Sequence, residues 1–256
     1  MEAEVRDEAT QYGTSRKGRF PIIELFGPTI QGEGALAGVR SHFVRFGGCP
    51  YRCKWCDSMH AVDPKQVKAN AAWETPEHIR ERLDTLRPSE WVTLSGGDPV
   101  MWDLDPLVHL LNTDGKYAVA VETEGAMWRP WLKYCRIVTL SPKGPSSGML
   151  DKLDHDVLGN YAQVASHGNL AFIVMKIVVF DLEDLMFARG MFGRYPMFKP
   201  FLSVGTPLNI PHNSTKFEIC RRMQWLFDEA LKYDDLVDVT ITPQLHVLAW
   251  GHQKGV

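Results

Sequence analysis

The chain has 256 residues, 45% hydrophobic and 23% charged, with a formal net charge of -3 at pH 7. This length and composition predict one compact domain with a sizeable core. The weak negative charge excludes the basic field that follows a phosphate backbone, so we expect no nucleic-acid partner. No apolar run is long enough to span a membrane, and residues 1–19 lack the apolar block of a secretory signal, which predicts no membrane partner and a cytoplasmic location.

Taken in chain order, the elements predict a largely parallel α/β sheet. Residues 1–19 lack periodicity and are predicted to form a flexible N-terminal arm, so the single domain spans residues 20–256 and begins at the apolar stretch Phe20–Phe26. Short apolar runs alternate with helical segments from there on. They predict strands at Ser41–Phe46, Glu90–Ser95, Ala118–Thr123, Arg136–Ser141, Phe172–Phe180 and Val237–Thr242.

Two amphipathic helices are predicted to cover this sheet. Thr75 as N-cap, with Pro76 at the first helical position, begins one of them. Thr215 and Glu218 form a capping box for the other. Its buried face is predicted to carry Cys220, Met223, Phe227, Ala230 and Leu231.

Two polar stretches fit this plan poorly. His60–Trp73 and Lys143–Gly168 are long and rich in Pro, Gly, Ser and Asn. Loops of this length without secondary structure are uncommon inside a compact domain. We therefore expect lids or insertions there rather than parts of the core.

Three of the five cysteines occupy one short loop. Cys49, Cys53 and Cys56 follow the first predicted parallel strand as C-x-x-x-C-x-x-C, whereas Cys135 and Cys220 stand alone, which is a poor layout for disulfides. Three soft thiolates on one loop can hold an iron–sulfur cluster and leave one iron open to a ligand. A structural zinc site or a set of inert buried thiols is the alternative.

Polar groups also follow the next three predicted strands. Paired glycines in Gly96-Gly97-Asp98-Pro99 let a backbone approach a ligand, although the same sequence is also a common turn. The carboxyl ends of parallel strands meet at one edge of the sheet, where such folds place their chemistry. The candidate groups at this edge are Gly96, Gly97, Asp98, Glu122, Glu124, Ser141 and Lys143.

The cysteine loop, with Trp55 before its third cysteine, resembles the signature of the radical S-adenosylmethionine (SAM) superfamily. The resemblance implies a partial (β/α)6-type TIM-like barrel and a [4Fe-4S] cluster on Cys49, Cys53 and Cys56. It also implies that the open iron binds SAM and that reduction releases a 5′-deoxyadenosyl radical. By resemblance, SAM is held by Trp55, Gly96, Gly97, Asp98, Glu122, Glu124, Ser141 and Lys143.

The block ELFGPTIQGEG from Glu24 to Gly34 resembles the start of the 7-carboxy-7-deazaguanine synthases. The other motifs agree in order: Cys56-Asp57-Ser58 for the family's Cys-Asp-Thr, Ser141-Pro142-Lys143 for Ser-Pro-Lys, and Gln244-Leu245-His246 for Gln-x-His. The resemblance covers roughly residues 22–250. It implies a lyase of 7-deazapurine biosynthesis, the chemistry used in queuosine biosynthesis, that converts 6-carboxy-5,6,7,8-tetrahydropterin to 7-carboxy-7-deazaguanine with loss of ammonia.

By the same resemblance the substrate contacts are Gln31, Glu33, Arg45 and His246, and the Ser58 hydroxyl binds Mg²⁺. A guanidinium and an imidazolium suit the pterin carboxylate, an amide and a carboxylate suit its ring nitrogens, and magnesium favours oxygen ligands. Taken singly, Arg45 could be a surface strand residue and His246 a core histidine.

The sequence departs from the family in Glu122-Thr123-Glu124-Gly125-Ala126, which resembles the family's Glu-Thr-Asn-Gly-Thr but has Glu124 and Ala126 in place of Asn and Thr. A carboxylate at residue 124 would repel the carboxylate of SAM unless it were paired. A radical SAM activase, which would not need Gln31, Glu33 or His246, and a non-catalytic iron–sulfur or zinc protein are the rival interpretations. The resemblance further implies a homodimer and a flavodoxin-like or ferredoxin-like reductant.

Overall fold

The structure is a computed structural model that describes residues 18–167, 171–208, 214–251, 253 and 255. All but the last two residues of the predicted N-terminal arm, and Gly168 at the end of the second polar stretch, lie outside these residues. The described residues form one sheet of nine strands. The strands are β1 Phe20–Ile30, β2 Arg40–Phe46, β3 Ala72–Glu74, β4 Trp91–Gly96, β5 Ala118–Thr123, β6 Ile137–Leu140, β7 Phe172–Val179, β8 Lys199–Val204 and β9 Thr240–Thr242.

The sheet order is β3-β1-β2-β4-β5-β6-β7-β8-β9. From β2 through β9 every neighbouring pair in this order is parallel, whereas β1 pairs antiparallel with both β2 and β3. The open, mostly parallel sheet with intervening helices confirms the predicted partial barrel. The six predicted strands are present, and β1, β3 and β8 add to them.

The helices are α1 Met59–Val62, α2 Pro64–Asn70, α3 Pro76–Thr85, α4 Asp105–Asn112, α5 His155–Ser166, α6 Leu182–Arg194, α7 Thr215–Ala230 and α8 Leu245–Trp250. The predicted cap of α3 is confirmed, because the Thr75 hydroxyl accepts a hydrogen bond from His78 N. None of the helices in the described residues is long and apolar enough to cross a membrane.

The predicted capping box of α7 is wrong, and its predicted buried face is only partly right, since Met223 and Ala230 pack against the core as predicted. Ser214 takes the N-cap position, and the Glu218 carboxylate instead accepts from the side chains of Arg221 and Arg222. Phe227 is 39% exposed and Leu231 is 85% exposed. The helix packs through a neighbouring stripe, of which only Ala230 was predicted; its buried members are Thr215, Ile219, Leu226 and Ala230.

The prediction that the two polar stretches lie outside the core is also wrong. The first contains α1, α2 and β3, and it buries Val62 and Val67. The second contains short 3-10 turns and α5, which buries Leu158 and Tyr161 completely. A few apolar anchors are enough to fix each stretch, since a buried side chain of this size contributes about 1.5–3 kcal/mol.

Alternation along the strands decides which groups reach the concave side of the sheet. On β7, one set of side chains packs into the core against the helices, and the intervening set faces the concave side. The first set is Ile173, Met175, Ile177 and Val179, and the second includes Lys176 and Val178.

Candidate functional site

The loop that carries the three clustered cysteines follows β2 directly and rests against the loop after β4. Gly97 N donates a hydrogen bond to Phe46 O at 3.0 Å, and Asp98 N donates to Gly48 O at 2.7 Å. A Cβ on Gly96 would lie 2.1 Å from Phe46 O, and one on Gly97 would lie 2.1 Å from Gly48 O. Glycine is therefore required at both positions for the two loops to meet.

The thiols of Cys49, Cys53 and Cys56 line one cavity. No disulfide forms among the described residues, which include all five cysteines. Burial raises the pKa of all three thiols, and for Cys56, where the charge of Asp57 adds to burial, the pKa rises to about 11. Such thiols stay protonated until a metal displaces the proton.

The donor set of three thiols beside one cavity suits an iron–sulfur cluster. Among the described residues, no group of three or more His, Cys, Asp or Glu side chains converges on a single metal ion. In an iron–sulfur cube each cysteine binds a different iron, so the thiols need not meet at a point. Soft sulfur donors on one loop beside an open cavity therefore fit a [4Fe-4S] cluster.

The cavity has a volume of about 230 Å³ and lies at the carboxyl ends of the central strands. The structure brings together all of the predicted site residues except Asp98. Those that line the cavity are Gln31, Glu33, Arg45, Cys49, Cys53, Trp55, Cys56, Ser58, Gly96, Gly97, Glu122, Glu124, Ser141, Lys143 and His246.

The Asp98 side chain points into the protein and does not line this cavity. It is fully buried, and its carboxylate accepts hydrogen bonds from Val100 N at 2.8 Å and from the Thr123 hydroxyl at 2.9 Å. These bonds tie the loop after β4 to the end of β5. Asp98 thus shapes the cavity wall formed by Gly96 and Gly97, and the contact of this segment with SAM, expected mainly through its backbone, stays a prediction.

Glu124, which departs from the family pattern, lies beside the first cysteine. Its Oε1 accepts a hydrogen bond from Cys49 Sγ at 3.7 Å. Burial, and then the charge of Asp98, raises the pKa of Glu124 well above its ordinary value. The raised pKa favours the uncharged form of Glu124, which lessens the expected repulsion of a carboxylate ligand.

The turn after β1 is held on the opposite wall by the Gln31 side chain. Its Oε1 accepts from Gly32 N at 2.7 Å and from Glu33 N at 3.3 Å, and its Nε2 donates to Glu122 Oε1 at 3.1 Å. The other oxygen of Glu122 accepts from the Ser95 hydroxyl at 3.0 Å. The amide of Gln31 thus fixes the turn that presents Glu33.

Glu33 is the centre of a charged cluster. It forms an ion pair with Lys176, and its Oε1 accepts from Gln244 Nε2 at 2.8 Å. Gln244 Nε2 also approaches Asp57 Oδ2 at 3.3 Å. Burial alone would raise the pKa of Glu33, but the charges of Lys176 and His246 outweigh it and lower the pKa. Glu33 is consequently an ionised acceptor inside the cavity.

Lys176 was missed in the sequence analysis. The available signal was a single charged residue in the otherwise apolar strand Phe172–Val179. A long apolar strand rarely carries a buried charge without a partner. Asp57 and Gln244 were recognised only as parts of motifs, and the structure places both at the cavity.

Arg45 connects the cavity wall to Ser58, two residues after the third cysteine of the loop. Its Nε donates to Glu24 Oε2 at 2.7 Å, and its Nη1 donates to the Ser58 hydroxyl at 3.0 Å. The hydroxyl in turn donates to Asp57 Oδ1 at 3.0 Å. The ring of His60, whose Nε2 lies 3.6 Å from Glu24 Oε2, and then the charge of Arg45, lower the pKa of Glu24. Arg45 is therefore held in one orientation by charged and polar partners.

The start of α8 closes the cavity against the turn after β1. Leu245 N donates to Gly32 O at 3.0 Å. A Cβ on Gly32 would lie 2.2 Å from His246 Nδ1, so the histidine packs directly on this glycine. His246 therefore lies at the cavity rather than in the core.

Trp55 forms the wall between the cysteine loop and the end of β7. Its Nε1 donates to the Ser146 hydroxyl at 2.9 Å, and its ring centroid lies 5.3 Å from that of Phe180. Lys143 Nζ lies 5.7 Å from the centre of the Trp55 ring and donates to the Ser141 hydroxyl at 3.0 Å. An aromatic face and two polar groups thus lie next to the three thiols.

Comparison with known proteins first shows the class of protein to which the chain belongs. The family described as "4Fe-4S single cluster domain" matches residues 30–170, more than half of the chain. Curated relatives then give the particular family. The 7-carboxy-7-deazaguanine synthase of Bacillus cereus is 35% identical over 93% of this chain and 99% of its own, and that of Bacillus subtilis is 35% identical over 93% and 98%. The chain belongs to the 7-carboxy-7-deazaguanine synthase family, as predicted.

Solved structures agree with this fold. QueE from Escherichia coli superposes with a TM-score of 0.62 at 22% identity, covering 88% of this chain and 94% of that one. Streptococcus suis SuiB bound to S-adenosylmethionine superposes with a TM-score of 0.52 at 13% identity, covering 78% of this chain and 49% of that one. These likenesses support the partial barrel alone. Together with the family, the thiol loop supports the predicted [4Fe-4S] and SAM cofactors.

Proposed function

We propose that this chain is a radical SAM lyase that converts 6-carboxy-5,6,7,8-tetrahydropterin to 7-carboxy-7-deazaguanine with loss of ammonia. The observation that carries the proposal is one cavity with two chemically different walls. One wall holds the three thiols of the cluster loop, and the other holds the ionised Glu33 with Lys176 and Gln244. The relatives that share 35% identity over nearly the whole chain bear the name of this synthase.

On the thiol wall, Cys49, Cys53 and Cys56 would hold the cluster. When bound and reduced, the cluster supplies the electron for the reductive cleavage of SAM. The backbone of Gly96 and Gly97 and the indole of Trp55 would hold SAM beside it, since all three line the cavity. We assign the remaining SAM contacts to Glu122, Glu124, Ser141 and Lys143.

On the opposite wall, the chain's own groups bind and orient the pterin. Glu33, being ionised and doubly hydrogen-bonded, accepts a ring N–H, and Gln31 keeps the turn in place. Arg45 and His246 face the same space and would bind the substrate carboxylate. Apolar side chains around them exclude water, which protects a radical from side reactions. They include Phe26, Phe43 and Val178.

For Mg²⁺, the structure offers two oxygen groups on one loop. The Ser58 hydroxyl and the Asp57 carboxylate lie 3.0 Å apart, and both line the cavity. A magnesium ion keeps several waters and needs only one or two protein ligands, so this pair fits if substrate and water complete the shell. Ser58→Ala should weaken the dependence of turnover on added Mg²⁺, whereas Ser58→Thr should preserve it.

One anaerobic assay tests the function. Reconstituted protein, SAM, dithionite and carboxytetrahydropterin should give 7-carboxy-7-deazaguanine, detected by mass spectrometry. Intact cluster and SAM cleavage without this product would overturn the substrate assignment. The rival activase would tolerate changes at Gln31 and Glu33, so the loss of product in Glu33→Gln separates the two enzymes.

We further propose that residues 20–256 act as one domain, that the chain works as a homodimer, and that a flavodoxin-like or ferredoxin-like protein supplies the electron. A single sheet that includes both β1 and β9 supports the one domain. Light scattering after gel filtration should give about twice the 29.0 kDa chain mass. Replacement of dithionite by reduced flavodoxin or ferredoxin should sustain turnover.

A further inference from the structure

Lys176 is a buried cation inside the cavity to which the family resemblance gives no role. Its side chain is 8% exposed and belongs to the concave face of β7, together with Val178. Transferring an ammonium group out of water is costly unless it is paired. A lysine at such a position therefore needs a partner that offsets this cost.

That partner is Glu33, on the turn after β1. Lys176 Nζ donates to one carboxylate oxygen of Glu33, and Gln244 Nε2 donates to the other at 2.8 Å. Three separate parts of the chain thus converge on a single carboxylate. Both of its oxygens are fixed, and the group borders the space where a substrate would lie.

We propose that Lys176 is a positioning residue, which fixes the Glu33 carboxylate together with Gln244 so that Glu33 accepts a ring N–H of the pterin. The inference rests on the proposed function, because it takes a pterin as the ligand of the cavity. A carboxylate only accepts hydrogen bonds, whereas a protonated carboxyl group also donates one. The hydrogen bond from a ring N–H is therefore strongest when Glu33 is ionised.

The charges around this pair favour that state. Glu33 faces Lys176 from β7 and His246 from α8, and both lower the pKa of Glu33 against the effect of burial. Lys176 is faced in addition by Glu122 from β5 and by Asp57 from the cluster loop, which raise its pKa together with Glu33. Without the ammonium group, burial would favour protonation of Glu33. The resulting defect in substrate binding must then depend on pH.

The test compares Lys176→Met, Lys176→Arg and a matched control, Lys199→Met, in cluster- and SAM-loaded protein. Lys199 is an exposed lysine on β8 that donates to Asp238 O. Equilibrium binding of carboxytetrahydropterin is measured between about pH 6 and pH 8.5. K176M should bind about tenfold or more weakly at the acid end and recover as the pH rises, since hydrogen bonds to charged groups contribute about 1.5–3 kcal/mol. K176R and K199M should follow the wild-type profile.

A second measurement does not need the substrate. In K176M near pH 6, the infrared difference spectrum against wild-type protein should contain one additional carbonyl band of a protonated carboxyl group, and K176M/E33Q should lack this additional band. A K176M binding profile parallel to that of the wild type, or no such band, would overturn the role of Lys176. If the band is present but even the wild-type protein fails to bind the pterin, the proposed function fails and the pairing stands. The K176M/E33Q variant carries a neutral pair. It is therefore the control that separates protonation of Glu33 from a loss of folding as the cause of the K176M defect.

Discussion

The two walls of the cavity are built in different ways. The cluster wall is shaped by backbone, because the glycines at 96 and 97 allow the β4 loop to touch the cysteine loop, and its thiols are uncharged. The substrate wall is shaped by side chains whose charges are already paired, such as Glu33 with Lys176 and Arg45 with Glu24. The difference follows from the ligands: a metal cluster brings its own charge, whereas a pterin must meet acceptors and donors that are set in advance.

The largest effect is expected on the cluster wall. Cys53→Ala should remove one of three ligands, so cluster content and turnover should fall to background. Cys220→Ala, on the exposed side of α7, should leave both unchanged. Iron and sulfide analysis, with EPR of the reduced protein, checks the result. Retention of a SAM-responsive cluster in Cys53→Ala would contradict the assignment of the three ligands.

The backbone contact on the same wall can be tested without touching a ligand. Gly97→Ala places a methyl group against Gly48 O, which should destabilise the protein by about 1–3 kcal/mol and lower its iron content. Gly159→Ala in α5 meets open space and should instead stabilise by about 0.5–1 kcal/mol. Urea denaturation of both variants measures the difference. Equal stability of Gly97→Ala and wild type would remove the steric argument.

On the substrate wall, a change should affect binding and leave the cluster intact. Arg45→Lys keeps the charge but not the fork that joins Glu24 and Ser58, so substrate affinity should fall by up to about tenfold, the value of one hydrogen bond. Arg189→Lys on α6, which loses a comparable pair with Asp235, is the control. Substrate titration measures the affinity of both variants, and parallel iron analysis measures their cluster content. Loss of iron in Arg45→Lys would show that the walls are not independent.

The smallest effect is expected on the pH dependence of folding stability. The buried histidine on β2, His42, and the ion-paired Glu33 should each affect stability in a different pH range. Burial, and then the charges of Arg40 and Lys116, lowers the pKa of His42 below 6.5. The unfolded chain therefore binds this proton first, and stability should fall as the pH drops below about 6.5. Glu33, whose pKa is lowered from 4.5, contributes stability that is lost only below about pH 4.5.

His42→Leu is expected to remove the first of these two losses and to keep the second. His109→Gln, at an exposed position on α4, should change neither. Denaturation midpoints measured from about pH 7 to pH 3 give the comparison. An unchanged slope near pH 6 in His42→Leu would exclude the buried histidine as its source.

The cluster loop and most of the strands were predictable because their signals are local. Three thiols within eight positions, and short apolar runs, carry their meaning in the sequence itself. The buried face of α7 was not predictable in this way. Phe217 and Leu231 are apolar yet exposed, while Ile219 and Leu226 are buried, so two stripes competed and only the sheet decided between them.

The two polar stretches were misjudged for a related reason. Composition identified them as loops, but Val67 and Tyr161 act as buried anchors among polar neighbours. Strand β8 was missed because its first residues, Lys199-Pro200, do not look like a strand, although it pairs with β7 on one side and β9 on the other. In each case the parts of the chain against which the segment packs or pairs lie far away in the sequence.

The sequence by itself determined the class of fold and the family and predicted the ligand set, since spacing and strand pattern are properties of neighbouring residues. Tertiary structure alone decided that the Asp98 side chain faces inward, that burial raises the pKa of Glu124, and that Lys176 pairs with Glu33. Burial and charge pairing depend on what the folded chain brings together. Gln244 and Glu33, for example, are 211 positions apart in the chain and 2.8 Å apart in the cavity.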